Sequence, residues 1–319
     1  MKKPVFARLV VMIPAFNEES SIAKVIGEIP RSIQGFSRTE VLVIDDGSTD
    51  NTVSAAKKAG ADKIVRHQKN FGLAVAFRTG LEAALKMGAD VIVNTDADFQ
   101  YNQKQIPLLV KPIVEGKAGI VLTDRNVWKL KHMPFLKKLG NSISTGVTSF
   151  ASGMKVRDAQ SGFRAFSRDA ALRINILSNY THVQETIIQA AAKKIPITQI
   201  SCEFRKRDGK SRLVKSLFSY AFNAASIIIR TYVQYRPFKA FLELGSAFIL
   251  AGLLFGFRVI VHFLQSGSVS PFIPSAILSS VLLLMGFQIV VLGLVADSIK
   301  SQRQVQEELL YLAKKRELF

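Results

Sequence analysis

The chain of 319 residues is long enough for one full-sized domain and an additional segment. Its 43 Lys and Arg against 24 Asp and Glu give a net charge of +19, which calls for an anionic partner: a phosphorylated substrate, an acidic membrane surface or nucleic acid. Cys202 is the only cysteine, so an intramolecular disulfide and a thiolate metal cluster are excluded.

The first 95 residues alternate between two patterns. Short apolar runs typical of buried strands are separated by segments whose apolar residues recur at helical spacing. This alternation predicts a parallel, doubly wound sheet, in which right-handed crossovers bring the turns after the strands to one edge. The Met1–Pro4 start lacks the apolar length of a signal peptide. The four predicted strands of this region cover 9–13, 41–44, 63–66 and 91–93.

The first, second and fourth of these strands end in turns that contain acidic residues. The turn after the fourth strand carries Asp96 and Asp98. Residues two apart in an extended segment point to the same side. Two such carboxylates suit a hard cation such as Mg²⁺ or Mn²⁺ that also holds substrate phosphates. Considered alone, the motif of Asp96 and Asp98 could also be a solvated turn without a metal. Three acidic turns at one sheet edge favour a binding site.

The middle of the chain continues the α/β pattern and is strongly basic. A basic, aromatic stretch runs from Trp128 to Lys138, and a basic loop occupies 205–212. Further strands are predicted over 120–122, within 158–166 and over 197–204. Helices are predicted over 106–115, 140–152, 169–177 and 183–193.

The last third of the chain changes character. Residues 213–235 predict a basic amphipathic helix in a membrane interface. Two apolar segments, 240–264 and 271–296, are each long enough to span a bilayer. Their outer flanks are basic and the turn between them is uncharged, so the positive-inside rule places both termini and the α/β domain in the cytosol. We expect domains at 1–212, 213–238, 239–297 and 298–319, the last a cytosolic helix.

Five motifs follow one another along the chain, at 14–18, 45–50, 70–72 with Arg78, 96–100 and 158–164. Taken together in this order, they resemble glycosyltransferase family 2. Within that family they are similar to the polyprenyl-phosphate glycosyltransferases of the dolichol-phosphate mannose or glucose synthase type. The resemblance covers about residues 8–212 and implies a Rossmann-like GT-A domain with a mostly parallel sheet.

The resemblance implies a nucleoside-diphosphate sugar as donor and Mg²⁺ or Mn²⁺ as cofactor. It assigns Asp96 and Asp98 to the metal, and Asp98, Gln100 and Glu185 to the reacting groups. The matched donor-binding residues are Pro14, Phe16, Glu18, Asp46, Arg78 and Asp96.

The acceptor implied by the resemblance is a polyprenyl phosphate, dolichyl or undecaprenyl. Arg125 matches a phosphate-contacting arginine of the family. Lys137 falls where the family tends to have a second basic residue, and Asn141 falls where it often has a hydroxyl. Arg205, Arg207 and Arg212 in the basic loop are added because guanidinium groups suit phosphate oxygens.

The sequence therefore predicts an inverting hexosyltransferase that uses a GDP- or UDP-linked sugar and supplies lipid-linked sugar for glycan assembly. Two alternatives stay open: transfer to a glycolipid or polysaccharide, and a non-catalytic nucleotide-binding membrane module. Trp128 is the only tryptophan and has no Gln-x-x-Arg-Trp context, which argues against a processive polysaccharide synthase. Basic residues cluster near the apolar spans, which argues against nucleic-acid binding. Homo-oligomerisation is left open.

Overall fold

A computed structural model describes residues 6–130, 133–176, 182–206, 233 and 237–318. The chain divides into two compact units, one of 1–229 with 310–319 and the other of 230–309. Arg207, Arg212 and nearly all of the predicted interfacial helix at 213–238 lie outside the described residues.

Seven strands of the first unit form one mixed sheet. Numbered along the chain, they lie in the order β3-β2-β1-β4-β6-β5-β7. All neighbours are parallel except β6, which is antiparallel to both β4 and β5. The mostly parallel sheet implied by the family resemblance is confirmed. The antiparallel β6 departs from the wholly parallel sheet that the alternation predicts. The strands are β1 Phe6–Ala15, β2 Phe36–Asp45, β3 Lys63–Arg66, β4 Val91–Asn94, β5 Ile120–Asp124, β6 Arg164–Ser167 and β7 Ile197–Ser201.

Seven α-helices lie in the described part of this unit, and six of them pack on the two faces of the sheet. Side chains of β1 alternate between the faces, as the period of two in a strand requires: Leu9 and Val11 enter one apolar cluster, Val10 and Met12 the other. The first cluster includes residues of α1, α2 and α4, and the second includes residues of α3, α6 and α7. The helices are α1 Ile22–Glu28, α2 Thr52–Lys58, α3 Leu73–Lys86, α4 Ile106–Val114, α5 Phe135–Ser152, α6 Arg168–Arg173 and α7 Val183–Ala192.

The antiparallel direction of β6 decides what lies beside the end of β4. Arg164, the first residue of β6, pairs with Asn94, the last residue of β4. The loop 158–163 before β6 is thereby placed at the sheet edge where the parallel strands end. Residues separated by about 65 positions in sequence thus become neighbours in the site.

The second unit contains the two longest helices. Helix α8 spans Pro237–Ser266, and α9 begins at Ile273 and runs to Leu318. Both are long and apolar enough to cross a membrane. They pack closely, because a Cβ on Gly245 would lie 2.8 Å from the carbonyl oxygen of Gly286. The predicted C-terminal helix is continuous with the second apolar segment.

The C-terminal turns of α9, residues 310–318, belong to the first unit. Tyr311 is buried there, and its hydroxyl donates to Asp169 Oδ1 over 2.8 Å. The Arg173 guanidinium lies 4.3 Å from the centre of the Tyr311 ring. Lys314 Nζ donates to Asn175 Oδ1 over 2.9 Å. This helix end therefore stabilises α6 and the residues that follow it.

Replacement of Tyr311 by alanine is expected to lower the free energy of unfolding of the first unit by about 3 kcal/mol, because a buried ring and its contacts are lost. Unfolding can be followed by reaction of Cys202 with a thiol-specific dye, since burial raises the pKa of its thiol to about 11 and shields it in the folded state. Leu312→Ala is the control, because Leu312 is exposed. Equal midpoints of denaturation for the two variants would contradict this role of Tyr311.

Candidate functional site

A cavity of about 220 Å³ opens at the carboxyl ends of the central strands. It lies where the chain order reverses between β1 and β4, the position at which open α/β sheets bind ligands. Six residues predicted for the donor or the metal line it: Pro14, Phe16, Glu18, Asp46, Asp96 and Asp98. The other lining residues are Ala15, Asn70, Gly72, Leu73, Ala76 and Ala97.

The turns after β1 and β2 are braced against each other by short polar side chains. Asn17 N donates to Ser48 Oγ over 2.9 Å, and Thr49 N donates to Asn17 Oδ1 over 2.8 Å. Glu18 N donates to Thr52 Oγ1 over 2.8 Å. Asn17 has φ of 53°, a left-handed conformation that asparagine tolerates. These bonds fix the backbone that presents Glu18 to the cavity.

Asp46 connects the second turn to the third. Its Oδ1 accepts from Phe71 N over 3.0 Å, and its Oδ2 accepts from Gly72 N over 2.8 Å. The ring nitrogen Nδ1 of His67 lies 2.7 Å from Oδ1. Asp46 therefore shapes the wall of the cavity as well as lining it. A carboxylate oxygen can accept two hydrogen bonds, so Oδ2, which accepts from Gly72 N, can also accept from a ligand donor.

The turn that carries Asp98 is strained and held from outside. Phe99 has φ of 62°, which is uncommon for a bulky residue. The Arg205 guanidinium lies 4.7 Å from the Phe99 ring centre. Arg205 N donates to Gln100 O over 2.7 Å, and Gln100 Nε2 donates to Arg205 O over 3.2 Å. Arg205 thus lies beside this turn, and strain of this kind is typical of functional sites.

The loop before β6 packs closely against Asp96. A Cβ on Gly162 would lie 2.8 Å from Asp96 Oδ1. The glycine is fixed there, because Asn94 Nδ2 donates to its carbonyl over 2.7 Å and its own N–H donates to Tyr101 Oη over 3.0 Å. Burial and the negative charge of Asp96 raise the pKa of Tyr101, so its hydroxyl stays protonated. The carboxylate of Asp96 can therefore approach this loop only because Gly162 has no side chain.

This pair of carboxylates fits a divalent cation whose remaining ligands come from substrate and water. Among the described residues, no group of three or more His, Cys, Asp and Glu side chains is placed to hold a metal. Asp96 and Asp98 line the cavity, and Mg²⁺ is commonly held by one or two carboxylates together with phosphate oxygens. Two carboxylates that line one cavity are compatible with Mg²⁺ or Mn²⁺.

Gly162→Ala is expected to lower the rate of the sugar transfer that the sequence predicts about 10²-fold, because displacement of a site group by about 1 Å has an effect of this size. The added methyl group must push Asp96 or the loop aside. Steady-state rates measure the effect, with far-UV circular dichroism as the check on folding. Gly27→Ala is the matched control, since a Cβ there meets no atom within 4 Å. An unchanged rate in Gly162→Ala would show that the close contact with Asp96 is not needed.

Arg125 is held in a buried ion pair. Its Nε and Nη2 donate to the two oxygens of Asp158 over 2.6 and 2.9 Å, and Nη2 also donates to Asn141 Oδ1 over 2.8 Å. Burial opposes both charges, but Arg125 lowers the pKa of Asp158 and Asp158 raises that of Arg125, so both stay ionised. The predicted acceptor residues Arg125 and Asn141 are thus neighbours. The positive charge of Arg125 is paired with the negative charge of Asp158.

The other predicted residues lie away from the cavity lining. Arg78 is exposed on α3, with its Nη1 3.5 Å from the carbonyl oxygen of Ile176. Glu185 is buried on α7, and its Oε1 accepts from Gln189 Nε2 over 3.0 Å. Lys137 is exposed near the start of α5. The site roles of these residues stay predictions.

The sequence reasoning missed the residues that position the site. Fully buried Arg164 donates to the carbonyls of Ser161 and Val183 over 2.8 and 2.6 Å, and burial lowers its pKa to about 10. It thereby ties the loop 158–163 to the start of α7. The motif 158–164 stands out in the sequence as a unit, but only the fold shows which partners its members contact.

Comparison with known proteins agrees with this architecture. Residues 10–174 match the profile of Glycosyl transferase family 2. The chain is 31% identical to the dolichyl-phosphate hexose transferase of Haloferax volcanii, over 67% of this chain and 90% of that protein. It is 30% identical to the UDP-N-acetylglucosamine–dolichyl-phosphate N-acetylglucosaminyltransferase of Methanococcus voltae, over 64% and 90% of the two chains.

The fold resembles that of glucosyl-3-phosphoglycerate synthase from Mycobacterium tuberculosis, solved in complex with Mn²⁺, UDP-glucose and glycerol 3-phosphate. The TM-score is 0.55 at 21% identity, over 71% of this chain and 79% of that one. At this identity the likeness concerns the GT-A fold alone. The family match covers more than half of the chain and contains the acidic turns of the cavity. The chain is a glycosyltransferase and belongs to glycosyltransferase family 2.

Proposed function

We propose that this chain transfers a hexose from a nucleoside-diphosphate sugar to a polyprenyl phosphate at a membrane. The observation that carries the proposal is the cavity in which six residues predicted for donor and metal meet. The acceptor class is supported by the relatives from Haloferax volcanii and Methanococcus voltae, both of which are named as transferases acting on dolichyl phosphate.

The donor is expected to lie along the cavity. Phe16 offers an apolar surface to the nucleoside, and the carboxylates of Glu18 and Asp46 can accept from ribose hydroxyls or base N–H groups. Asp96 and Asp98 would hold Mg²⁺ or Mn²⁺ against the diphosphate. When bound, the cation supplies Lewis-acid stabilisation of the negative charge on the leaving group.

The acceptor needs little help as a nucleophile. A phosphate monoester is largely dianionic at neutral pH, so no side chain has to remove a proton. In a single displacement its oxygen forms a bond to the anomeric carbon, while the bond from that carbon to the diphosphate breaks and its electron pair leaves with the nucleoside diphosphate. The configuration inverts. The protein contributes orientation and charge stabilisation.

The residues proposed to place the acceptor phosphate are basic or polar. Nε and Nη2 of Arg125 contact Asp158 and Asn141, and Nη1, for which no hydrogen bond to the described residues is seen, is proposed to donate to a phosphate oxygen. Arg205 lies beside the turn of Asp98 and Gln100. Lys137, Arg207 and Arg212 are proposed as further cationic contacts, and Glu185 as an acceptor for sugar hydroxyls.

The two apolar helices give the enzyme access to a lipid substrate. We propose that both cross the membrane, with the catalytic domain 1–212 and both termini in the cytosol. The basic flanks of the apolar segments and the uncharged turn between them support this orientation.

The proposal is tested by incubating the reconstituted full chain with polyprenyl phosphate, Mg²⁺ and a panel of GDP- and UDP-linked hexoses. Mass spectrometry of the extracted lipid should show one added hexose mass for one donor, and chelation of the cation should abolish the product. Transfer to a neutral glycolipid instead of the lipid phosphate would overturn the acceptor assignment. Metal-dependent nucleotide binding without any product would favour a non-catalytic module.

A further inference from the structure

Helix α5 has an inverted distribution of polar and apolar side chains. Its buried residues are mostly small and polar, and include Asn141, Ser144, Thr145 and Thr148. The opposite side exposes large apolar residues at spacings of three, four, four and three, which is one narrow stripe on a helix. The stripe consists of Leu136, Leu139, Ile143, Val147 and Phe150.

An ordinary surface helix turns its apolar side to the core and its polar side to water. On α5, Ile143 is 59% exposed and Phe150 65% exposed, while Thr148 is fully buried. A contiguous exposed apolar patch of this kind marks an interaction surface. The α5 stripe is therefore expected to be covered by an apolar environment in the working protein.

The charge around the stripe identifies that environment. Between Asp124 and Asp158 the sequence has seven Lys and Arg and no acidic residue. Trp128 is 57% exposed beside the start of the helix, and Lys129 and Lys137 are exposed there as well. An apolar stripe flanked by lysines and an exposed tryptophan is typical of a helix that lies in the interface of an anionic membrane.

We propose that α5 is a membrane-contacting surface of the catalytic domain, in which the Leu136–Phe150 stripe enters the headgroup region of a bilayer that contains anionic lipid. Seven Lys and Arg with no acid over 33 consecutive residues match the negative charge of an anionic membrane surface. The chain also has two helices that can span a membrane, so a bilayer is at hand. The polar side of α5 carries Asn141, the partner of Arg125, so the same helix links the bilayer to the proposed acceptor site.

The test uses the full chain in vesicles and an environment-sensitive fluorophore on single cysteines. Buried Cys202 is first replaced by serine. The label is attached in an Ile143→Cys variant. The control is a Lys58→Cys variant, because the side chain of Lys58 on α2 is exposed. Quenching is measured with aqueous iodide and with lipids that carry a nitroxide near the headgroup, because an interfacial helix lies roughly 5–10 Å into this region. Vesicles contain phosphatidylcholine alone or with phosphatidylglycerol.

In vesicles with phosphatidylglycerol, the label at position 143 should be quenched by the nitroxide lipid, and iodide quenching should be about fivefold weaker than at position 58. In phosphatidylcholine alone, nitroxide quenching should decrease. Equal iodide quenching at the two positions would overturn the proposal, because the stripe would then face water. Protection from both quenchers would also overturn it, because protein would then cover the stripe. The measurement requires neither sugar nor lipid phosphate, so its outcome is independent of the proposed transferase activity.

Discussion

Replacement of Asp98 by asparagine is expected to lower sugar transfer about 10³-fold, which corresponds to roughly 4 kcal/mol of lost transition-state stabilisation. Asparagine keeps the shape of the side chain and an oxygen that can accept from Gln100 N, as Asp98 Oδ1 does over 3.2 Å. Only the negative charge is removed. A large loss of rate would therefore report on the cation and the diphosphate rather than on the turn.

The matched control for Asp98→Asn is Asp124→Asn. Asp124 is the last residue of β5 and lies at the same sheet edge, and its Oδ1 accepts from Asn126 N, a bond that asparagine can keep. It does not line the cavity. Steady-state transfer and Mg²⁺ dependence are measured for both variants, with circular dichroism as the check on folding. Comparable activity of the two variants would contradict the assignment of Asp98 to the metal.

The sheet could be predicted because its strands are buried on both faces. Continuous apolar runs such as Val91–Val93 give a strong local signal, and alternation with helices implies parallel neighbours. The antiparallel β6 carries no comparable signal. Its four residues begin with Arg164, and their direction depends on pairing with Asn94 far away in the sequence.

For the same reason, it could be predicted that the residues proposed for the donor lie close together. Its residues lie directly after strands, and the parallel topology fixes where such turns meet. The amino-acid sequence alone is therefore enough to place Phe16, Asp46 and Asp98 together.

The acceptor side depends on contacts that sequence spacing does not encode. Asp158 and Arg125 are 33 residues apart in the sequence. Asp158 lies in the loop before the antiparallel strand β6, and Arg125 directly follows β5. Nothing in either local sequence shows that they pair, or that Asn141 joins them through a helix whose polar side faces inward. The buried polar side and exposed apolar side of α5 could not be predicted either, because a Ser- and Thr-rich pattern does not indicate which side of a helix is buried.

The Arg125–Asp158 pair makes the second large effect predictable. Asp158→Asn should lower the free energy of unfolding of the first unit by about 3–5 kcal/mol, because an unpaired Arg125 would remain buried. The low pKa of Asp158 in the folded protein means that its contribution is present above its unfolded pKa and is lost as the pH falls through the folded value. The stability difference between wild type and variant should therefore be constant near neutrality and shrink in acid.

The double variant Arg125→Met with Asp158→Leu separates structure from function. Replacing both charges by apolar side chains of similar size is commonly neutral or stabilising, so the denaturation midpoint should return close to that of wild type. The rate of transfer by the double variant should be lower than that of wild type, and its KM for polyprenyl phosphate should be higher, because the proposed phosphate contact of Arg125 is missing. Lys117→Met, which breaks an exposed ion pair with Glu115, should change neither quantity. Recovery of full transfer in the double variant would show that Arg125 serves the fold and that the acceptor phosphate is held by other cations.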